Sequence, residues 1–380
     1  MTLPAVYLDY NAEAPLKPAV VEAMAAAAGR VGNPSSVHRF GRLARRAVED
    51  ARARVAALAG SAPAEVVFTA SGTEANNLAL DGCGRARRVV SAVEHDSVLR
   101  AAPEARLAPV DGDGIVDLAV LDEILSQPGA PAVVSVMLAN NETGVVQPAA
   151  RAAEIAHAHG ALFHCDAVQA AGRRAIDFAA LGADLMSLSA HKMGGPQGIG
   201  ALIVRGGVAI APLIRGGAQE TGRRAGSENV AGIVGFGVAA ELAAGDVAGA
   251  ARIAALRDDA ERRLRAIAPD LVVFGGAAER LCNTSCLTMP GVPSESQVMA
   301  LDLAGVAVSA GSACSSGKVG ESHVLRAMGG DPEAAQCAIR VSLGWASTAA
   351  DIDHLAEAWA ALYARAGGVA AAGAARPSAA

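Results

Sequence analysis

The sequence predicts an α/β fold, with a large domain built on a mostly parallel sheet covered by helices and a smaller α+β C-terminal domain. Three observations carry this. Short apolar runs alternate with helical patterns between residues 60 and 205, as strands covered on both faces require. The 380 residues exceed one simple core and suit a large unit with a smaller companion. Hydrophobic residues make up 52% of the chain but aromatic ones only 3%, so the core must be built from Ala, Val, Leu and Ile; the 42 glycines suit tight turns and close backbone approaches. The expected boundaries are 15–250 for the large domain, 1–14 with 251–365 for the small one, and 366–380 for a disordered tail of little but Ala and Gly.

In chain order, the alanine-rich stretch 23–28, flanked by Glu22 and Arg30, reads as a helix. Residues 36–60 read as an amphipathic helix in which Arg42, Arg45 and Arg46 form a solvated face among Leu43, Val48, Ala51 and Val55. Strands are expected at 66–69, 88–92, 133–139, 161–166, 185–189 and 201–205, with helices such as 118–125 and 150–159 between them. A long helical segment, 230–266, breaks near Gly245 and joins the large domain to the second. Beyond it come strands at 271–274 and 285–289, a helix at 296–303 and an apolar run at 340–343.

The net charge of −6 and the absence of a basic stripe give nucleic-acid binding no support. No uninterrupted apolar run of membrane-spanning length is read, and the start Met1-Thr2-Leu3-Pro4 lacks a charged region followed by an apolar block. A cytoplasmic protein without a membrane partner is therefore expected. The six cysteines, Cys83, Cys165, Cys282, Cys286, Cys314 and Cys337, contain no C-x-x-C pair, so no metal site is expected and most should be small buried hydrophobes.

Five features suggest chemistry. The lysines are only Lys17, Lys192 and Lys318; Lys192 follows strand 185–189 in a glycine-rich turn, where desolvation favours the free amine that a Schiff base needs. Asp166 ends strand 161–166, where a carboxylate either pairs with a pyridinium nitrogen or caps a helix. Ala70-Ser71-Gly72-Thr73-Glu74 lies between a strand and a helix, a geometry shared by phosphate sites and ordinary caps. Cys314 stands among small residues in Ser309–Lys318, the surroundings of a reactive rather than a packed thiol. Arg340 interrupts an apolar run and calls for an anion, either a substrate carboxylate or a structural partner.

In order and spacing, the motifs resemble those of the cysteine desulfurases, in their NifS/IscS-like branch of the class V aminotransferase-like, fold-type I enzymes that depend on pyridoxal 5'-phosphate (PLP). The resemblance runs from about Val6 to about Ile352. It rests on Tyr7-Leu8-Asp9-Tyr10-Asn11-Ala12, Gly32-Asn33-Pro34-Ser35-Ser36, Ser71-Gly72-Thr73-Glu74, Glu94-His95 and Asn140-Asn141-Glu142-Thr143-Gly144. Further matches are His164-Cys165-Asp166-Ala167-Val168-Gln169, Ser189-Ala190-His191-Lys192, Arg223-Arg224-Ala225-Gly226-Ser227-Glu228-Asn229 and the Cys314 loop, which is the branch-specific feature.

The resemblance implies that Lys192 carries PLP as a Schiff base, Asp166 pairs with the ring nitrogen, His95 stacks on the ring and shuttles protons, and Gln169 meets the ring hydroxyl oxygen. It implies that Gly72, Thr73, Ser189 and His191 hold the phosphate, with Ser227 reaching the phosphate of a partner subunit in a homodimer. Asn141 and Arg340 would hold the substrate carboxylate. Cys314 would take sulfur from L-cysteine as a persulfide, leave alanine, and pass the sulfur to an acceptor such as an iron–sulfur scaffold protein. Three departures stand out: Ala12-Glu13 where the family usually has two threonines, Ala190 in place of glycine, and Ser227 in place of threonine. A selenocysteine lyase, another class V PLP enzyme and a catalytically inactive partner protein are the competing readings.

Overall fold

The computed structural model describes residues 5–311 and 322–366; Cys314, Lys318 and nearly all of the expected tail lie outside the described residues. Strand β1 (Val6–Tyr7) leads to α1 (Pro18–Ala28), whose first-turn proline forfeits no helical hydrogen bond. In α2 (Arg39–Ala59) the N-terminal cap is His38, and Gly60 ends the helix at φ 67°. Val48, Ala51 and Val55 face inward while Arg42, Arg45 and Arg46 are exposed, as their spacing predicts. The chain then alternates through β2 (Val66–Thr69), α3 (Gly72–Gly82), β3 (Arg87–Ser91), α4 (Asp96–Leu99), β4 (Arg106–Ala108), α5 (Leu118–Ser126), β5 (Ala132–Ser135), α6 (Ala149–Ala158), β6 (Leu162–Asp166), β7 (Leu185–Ser189) and β8 (Gly200–Val204).

These strands make a seven-stranded sheet in the order β2-β8-β7-β6-β5-β3-β4. The run from β4 to β7 is parallel, whereas β8 is antiparallel to both neighbours. Its core is aliphatic, with Val89, Val134, Met186, Leu188 and Ile203 against helix alanines such as Ala152 and Ala156. That is how so apolar a chain manages with few aromatics. The expected strand 133–139 is assigned only to Ser135, yet the N–H groups of Val136 and Leu138 still donate to His164 and Asp166 carbonyls, at 3.1 and 2.8 Å. Edge strand β4 escaped the sequence reading because Arg106 and Leu107 are exposed and show no buried alternation.

Helices α7 (Val230–Ala248) and α8 (Ala250–Ile267) meet at Gly249, not near Gly245; a side chain at Gly245 would meet open space, so that glycine is tolerated within α7. By length and composition α7, at 19 residues, is long and apolar enough to cross a membrane, although Glu241 and Asp246 interrupt its apolar run. Its apolar side chains are instead packed on α1 and α2, with Ile233 and Phe236 in the core.

The second unit comprises β9 (Thr284–Thr288), α9 (Ser294–Leu303), β10 (Val306–Ala307), β11 (Ser309–Ala310), α10 (His323–Ala327), α11 (Pro332–Gln336), β12 (Ala338–Ser342) and α12 (Ala349–Arg365). β12 lies between β11 and β9, antiparallel to both, and β1 pairs in parallel with β10. The expected strand 271–274 is reduced to a bridge between Val273 and Leu287. Leu8, Leu264, Ile339, Val341, Leu355 and Trp359 form this unit's own core, so the start of the chain is packed with its C-terminal elements.

Candidate active site

A cavity of about 300 Å³ opens where β3, β6 and β7 end, the position at which open parallel sheets bind ligands. Its wall brings together Gly72 and Thr73 from the start of α3, His95 from the cap of α4, Asn141, Asp166 and Gln169, then Ser189, His191 and Lys192 from the end of β7, and Arg340 from β12. Ser227 is exposed and lines a separate, smaller cavity of about 120 Å³.

The cavity wall carries both cationic and anionic groups. Lys192 closes the short turn after β7, and its Nζ donates to the carbonyls of Asn11 and Ala12 at 2.6 and 2.8 Å. Asp166 accepts from Asn76 Nδ2 through Oδ2 (2.7 Å) and from the Val168 N–H through Oδ1 (2.9 Å). Asn76 Nδ2 also donates to Ser97 Oγ at 2.8 Å, and Ser97 Oγ lies 2.7 Å from His95 Nδ1. Asp166 and His95 thus share one buried hydrogen-bond chain. Burial, chiefly, holds His95 below the ordinary imidazole range, which favours the neutral ring needed for proton exchange.

Beneath Asp166 lies a second buried carboxyl. Glu94 accepts from the Met137 N–H at 2.6 Å, and burial together with the charge of Asp166 pushes its pKa up to about 8. It is therefore protonated at neutral pH, so Asp166 has no second carboxylate charge beside it. His164, held between Ser135 Oγ and Ser187 Oγ, is kept neutral by burial, its pKa held down to about 4.

The donor set fits PLP. At the start of α3, Ser71 caps the helix by accepting from the Glu74 N–H, and the first amides of the helix would suit an anion such as the phosphate. Ser189 Oγ is buried without a hydrogen-bond partner on the same wall, a hydroxyl that a phosphate oxygen would satisfy. Gly72 is required by packing: a Cβ there would come 2.9 Å from Val168 Cγ2. Gln169 Nε2 donates to the Asn11 carbonyl at 3.0 Å, and its Oε1 accepts from Arg173.

Arg340 reaches the cavity from the second unit. Its Nη2 donates to Asp9 Oδ1 at 2.7 Å and its Nη1 to the Asn141 carbonyl at 3.1 Å, while Nε is buried without a partner. The structural partner expected of this residue is thus present in Asp9, and one donor of the guanidinium is left over. Cys314 lies outside the described residues, and its segment is flanked by Gly311 and Ser322. Ser309 stands in register with Arg340, and Glu142 accepts from Ser322 Oγ at 2.6 Å. His323 Nε2 lies 3.0 Å from the carbonyl oxygen of Glu94, next to His95. Among the described cysteines, Cys83, Cys165 and Cys286 are buried, and burial raises the pKa of the partly exposed Cys282 and Cys337. Asn76, Asp9 and Glu142 were not singled out from sequence, since a buried asparagine or carboxylate carries no local signature.

Fold and cavity together define a fold-type I PLP enzyme. The aminotransferase class-V model matches residues 6–355. The chain is 46% identical over 367 residues to a cysteine desulfurase of Cereibacter sphaeroides, covering 93% of this chain and 94% of that one. It is 41% identical to an IscS-like cysteine desulfurase of Mycobacterium tuberculosis, covering 97% and 100%. The solved NifS-like protein of Rickettsia africae superposes with a TM-score of 0.87 at 36% identity, covering 95% of this chain and 99% of that one. The chain belongs to the aminotransferase class-V family, in its NifS/IscS-like branch, and its cofactor is PLP.

Proposed function

We propose that the protein is a PLP-dependent cysteine desulfurase that converts L-cysteine to L-alanine and carries the sulfur as a persulfide on Cys314. The observation that carries this reading is the meeting of Lys192, Asp166 and Arg340 in one cavity, with Ser309, which precedes the segment bearing Cys314, paired in register with Arg340. Bound through Lys192, PLP supplies an electron sink for the substrate's α-carbon. Arg340, braced by Asp9, would take the substrate carboxylate and fix the substrate's orientation. Lys192 would accept the proton from Cα, and His95 would move a proton at the cofactor's edge. Asp166 would keep the ring nitrogen protonated. The Cys314 thiolate would attack the substrate sulfur, so that an S–S bond forms, the Cβ–S bond breaks, and its electron pair ends on Cβ with a proton. Cysteine and enzyme thiol thus give alanine and enzyme persulfide with no added oxidant or reductant.

The same reading gives a cytoplasmic homodimer in which the exposed Ser227 serves the partner's phosphate site, and an acceptor protein, such as an iron–sulfur scaffold, that removes the sulfur. The division 15–250 against 1–14 with 251–365 is the matching domain proposal; it is supported by the separate core of the second unit. Cysteine-dependent alanine release and the visible spectrum test the function. Cys314→Ala should keep the cofactor's visible absorbance and lose persulfide, whereas Lys192→Ala should lose the native absorbance. Normal turnover by either variant would refute the assignment.

A further inference from the structure

Glu13 touches the cavity wall in a way the mechanism above does not use. Its Oε2 lies 2.6 Å from Nδ1 of His191, a residue lining the cavity with Ser189 and Gly72. The contact is built into the backbone. The Ala14 N–H donates to the His191 carbonyl at 3.0 Å, and Lys192 Nζ donates to the neighbouring Asn11 and Ala12 carbonyls. The Tyr7 hydroxyl donates to the Glu13 carbonyl at 2.9 Å, fixing the segment from the other side. Both side chains are partly shielded, at 27% exposure for His191 and 33% for Glu13.

A carboxylate at this distance requires the proton on Nδ1. Nε2 of a neutral His191 is then an acceptor and would face the phosphate lone pair to lone pair. It becomes a donor only when the ring is an imidazolium. We propose that Glu13 is a positioning residue for the cofactor's phosphate, fixing the His191 tautomer and supporting the charged ring, so that phosphate binding is coupled to a proton on His191. Burial first, then the charges of Lys192 and Arg173, hold His191 below the ordinary imidazole range before phosphate binds, and Glu13 is the group that acts against them. Without Glu13 the ring faces only the opposing influences.

The inference rests on PLP as the cofactor, and the experiment separates the two. Dissociation constants are measured for PLP and for pyridoxal, which lacks the phosphate, from about pH 5 to about pH 9, in the wild type and Glu13→Gln; their ratio cancels the shared chemistry at Lys192. In the wild type the preference for PLP should decline as pH rises through the His191 ionisation. In Glu13→Gln, which keeps the acceptor and loses the charge, that preference should fall roughly tenfold near neutral pH and recover on acidification. In a His191→Gln background, Glu13→Gln should have no further effect on the ratio. An unchanged ratio, an equal loss for pyridoxal, or a full effect without His191 would each overturn the proposal. A wild type that bound neither ligand would instead overturn the cofactor assignment.

Discussion

Asn76 Nδ2 lies 2.7 Å from Oδ2 of Asp166 and, through Ser97, ties that carboxylate to His95. The side chain proposed to hold the ring nitrogen and the one proposed to move protons are therefore oriented by a single amide. Asn76→Ala removes a hydrogen bond to a buried charge. It should lower the rate of alanine release by roughly tenfold to a hundredfold while PLP remains bound. Steady-state kinetics beside the visible spectrum checks this; an unchanged rate would make the amide merely a space-filler.

Arg340 should act on substrate affinity. Arg340→Lys keeps the charge but loses the fork that spans Asp9, the Asn141 carbonyl and a substrate carboxylate. KM for L-cysteine should rise by roughly tenfold or more, with a smaller change in kcat. Asp9→Asn, which loosens the brace, should move KM in the same direction by a smaller factor. A fall in kcat at constant KM for both variants would place Arg340 elsewhere in the cycle.

Glu94 makes stability depend on pH. Folded Glu94 keeps its proton up to about pH 8, whereas the ordinary glutamate value is 4.5. Between those values folding takes up a proton, so this residue's share of stability is present at low pH and declines as pH rises, at roughly 1.4 kcal/mol per unit at most. Glu94→Gln should therefore match the wild type near pH 4.5 and become progressively more stable than it towards pH 8. His164 contributes the opposite slope below its ordinary value, but it is common to both proteins and cancels in the difference. Thermal midpoints across pH test this; a constant gap would mean that the carboxyl is not protonated.

The turn before the Arg223–Asn229 segment depends on a buried ion pair. Arg52 Nη1 and Nη2 donate to Glu220 at 2.7 and 2.8 Å, and the Phe68 N–H also donates to that carboxylate. Glu220 and Thr221 sit at φ 48° and 58°, conformations unfavourable for residues with side chains, which this anchoring holds. Arg52→Ala leaves the buried carboxylate unpaired and should cost about 3–5 kcal/mol, measured by denaturant unfolding. Adding Glu220→Gln should recover part of that loss.

The strand framework was legible because buried strands advertise themselves: Val66–Thr69 and Leu185–Ser189 are apolar runs ended by turn residues. Lys192, Asp166 and Gly72 could be found because the chemistry of a strand end is local. What stayed hidden was pairing across the chain. Nothing near Asp9 indicates Arg340, 331 positions away, and nothing near Glu13 indicates His191. Position 13 showed in the sequence only as a departure from the family pattern, and its partner emerged from the fold. Residues 271–274 looked like a strand from their apolar content, but hydrogen bonding with β9 reduces them to a single bridge.

The most direct test is to incubate the PLP-loaded protein with L-cysteine, block the thiols by alkylation, and map the peptides by mass. One additional sulfur on the peptide containing Cys314, matched by released alanine and absent from peptides bearing the other cysteines, is the predicted result. Alanine release with the sulfur carried on another cysteine, or with no protein-bound sulfur at any time, would contradict the account.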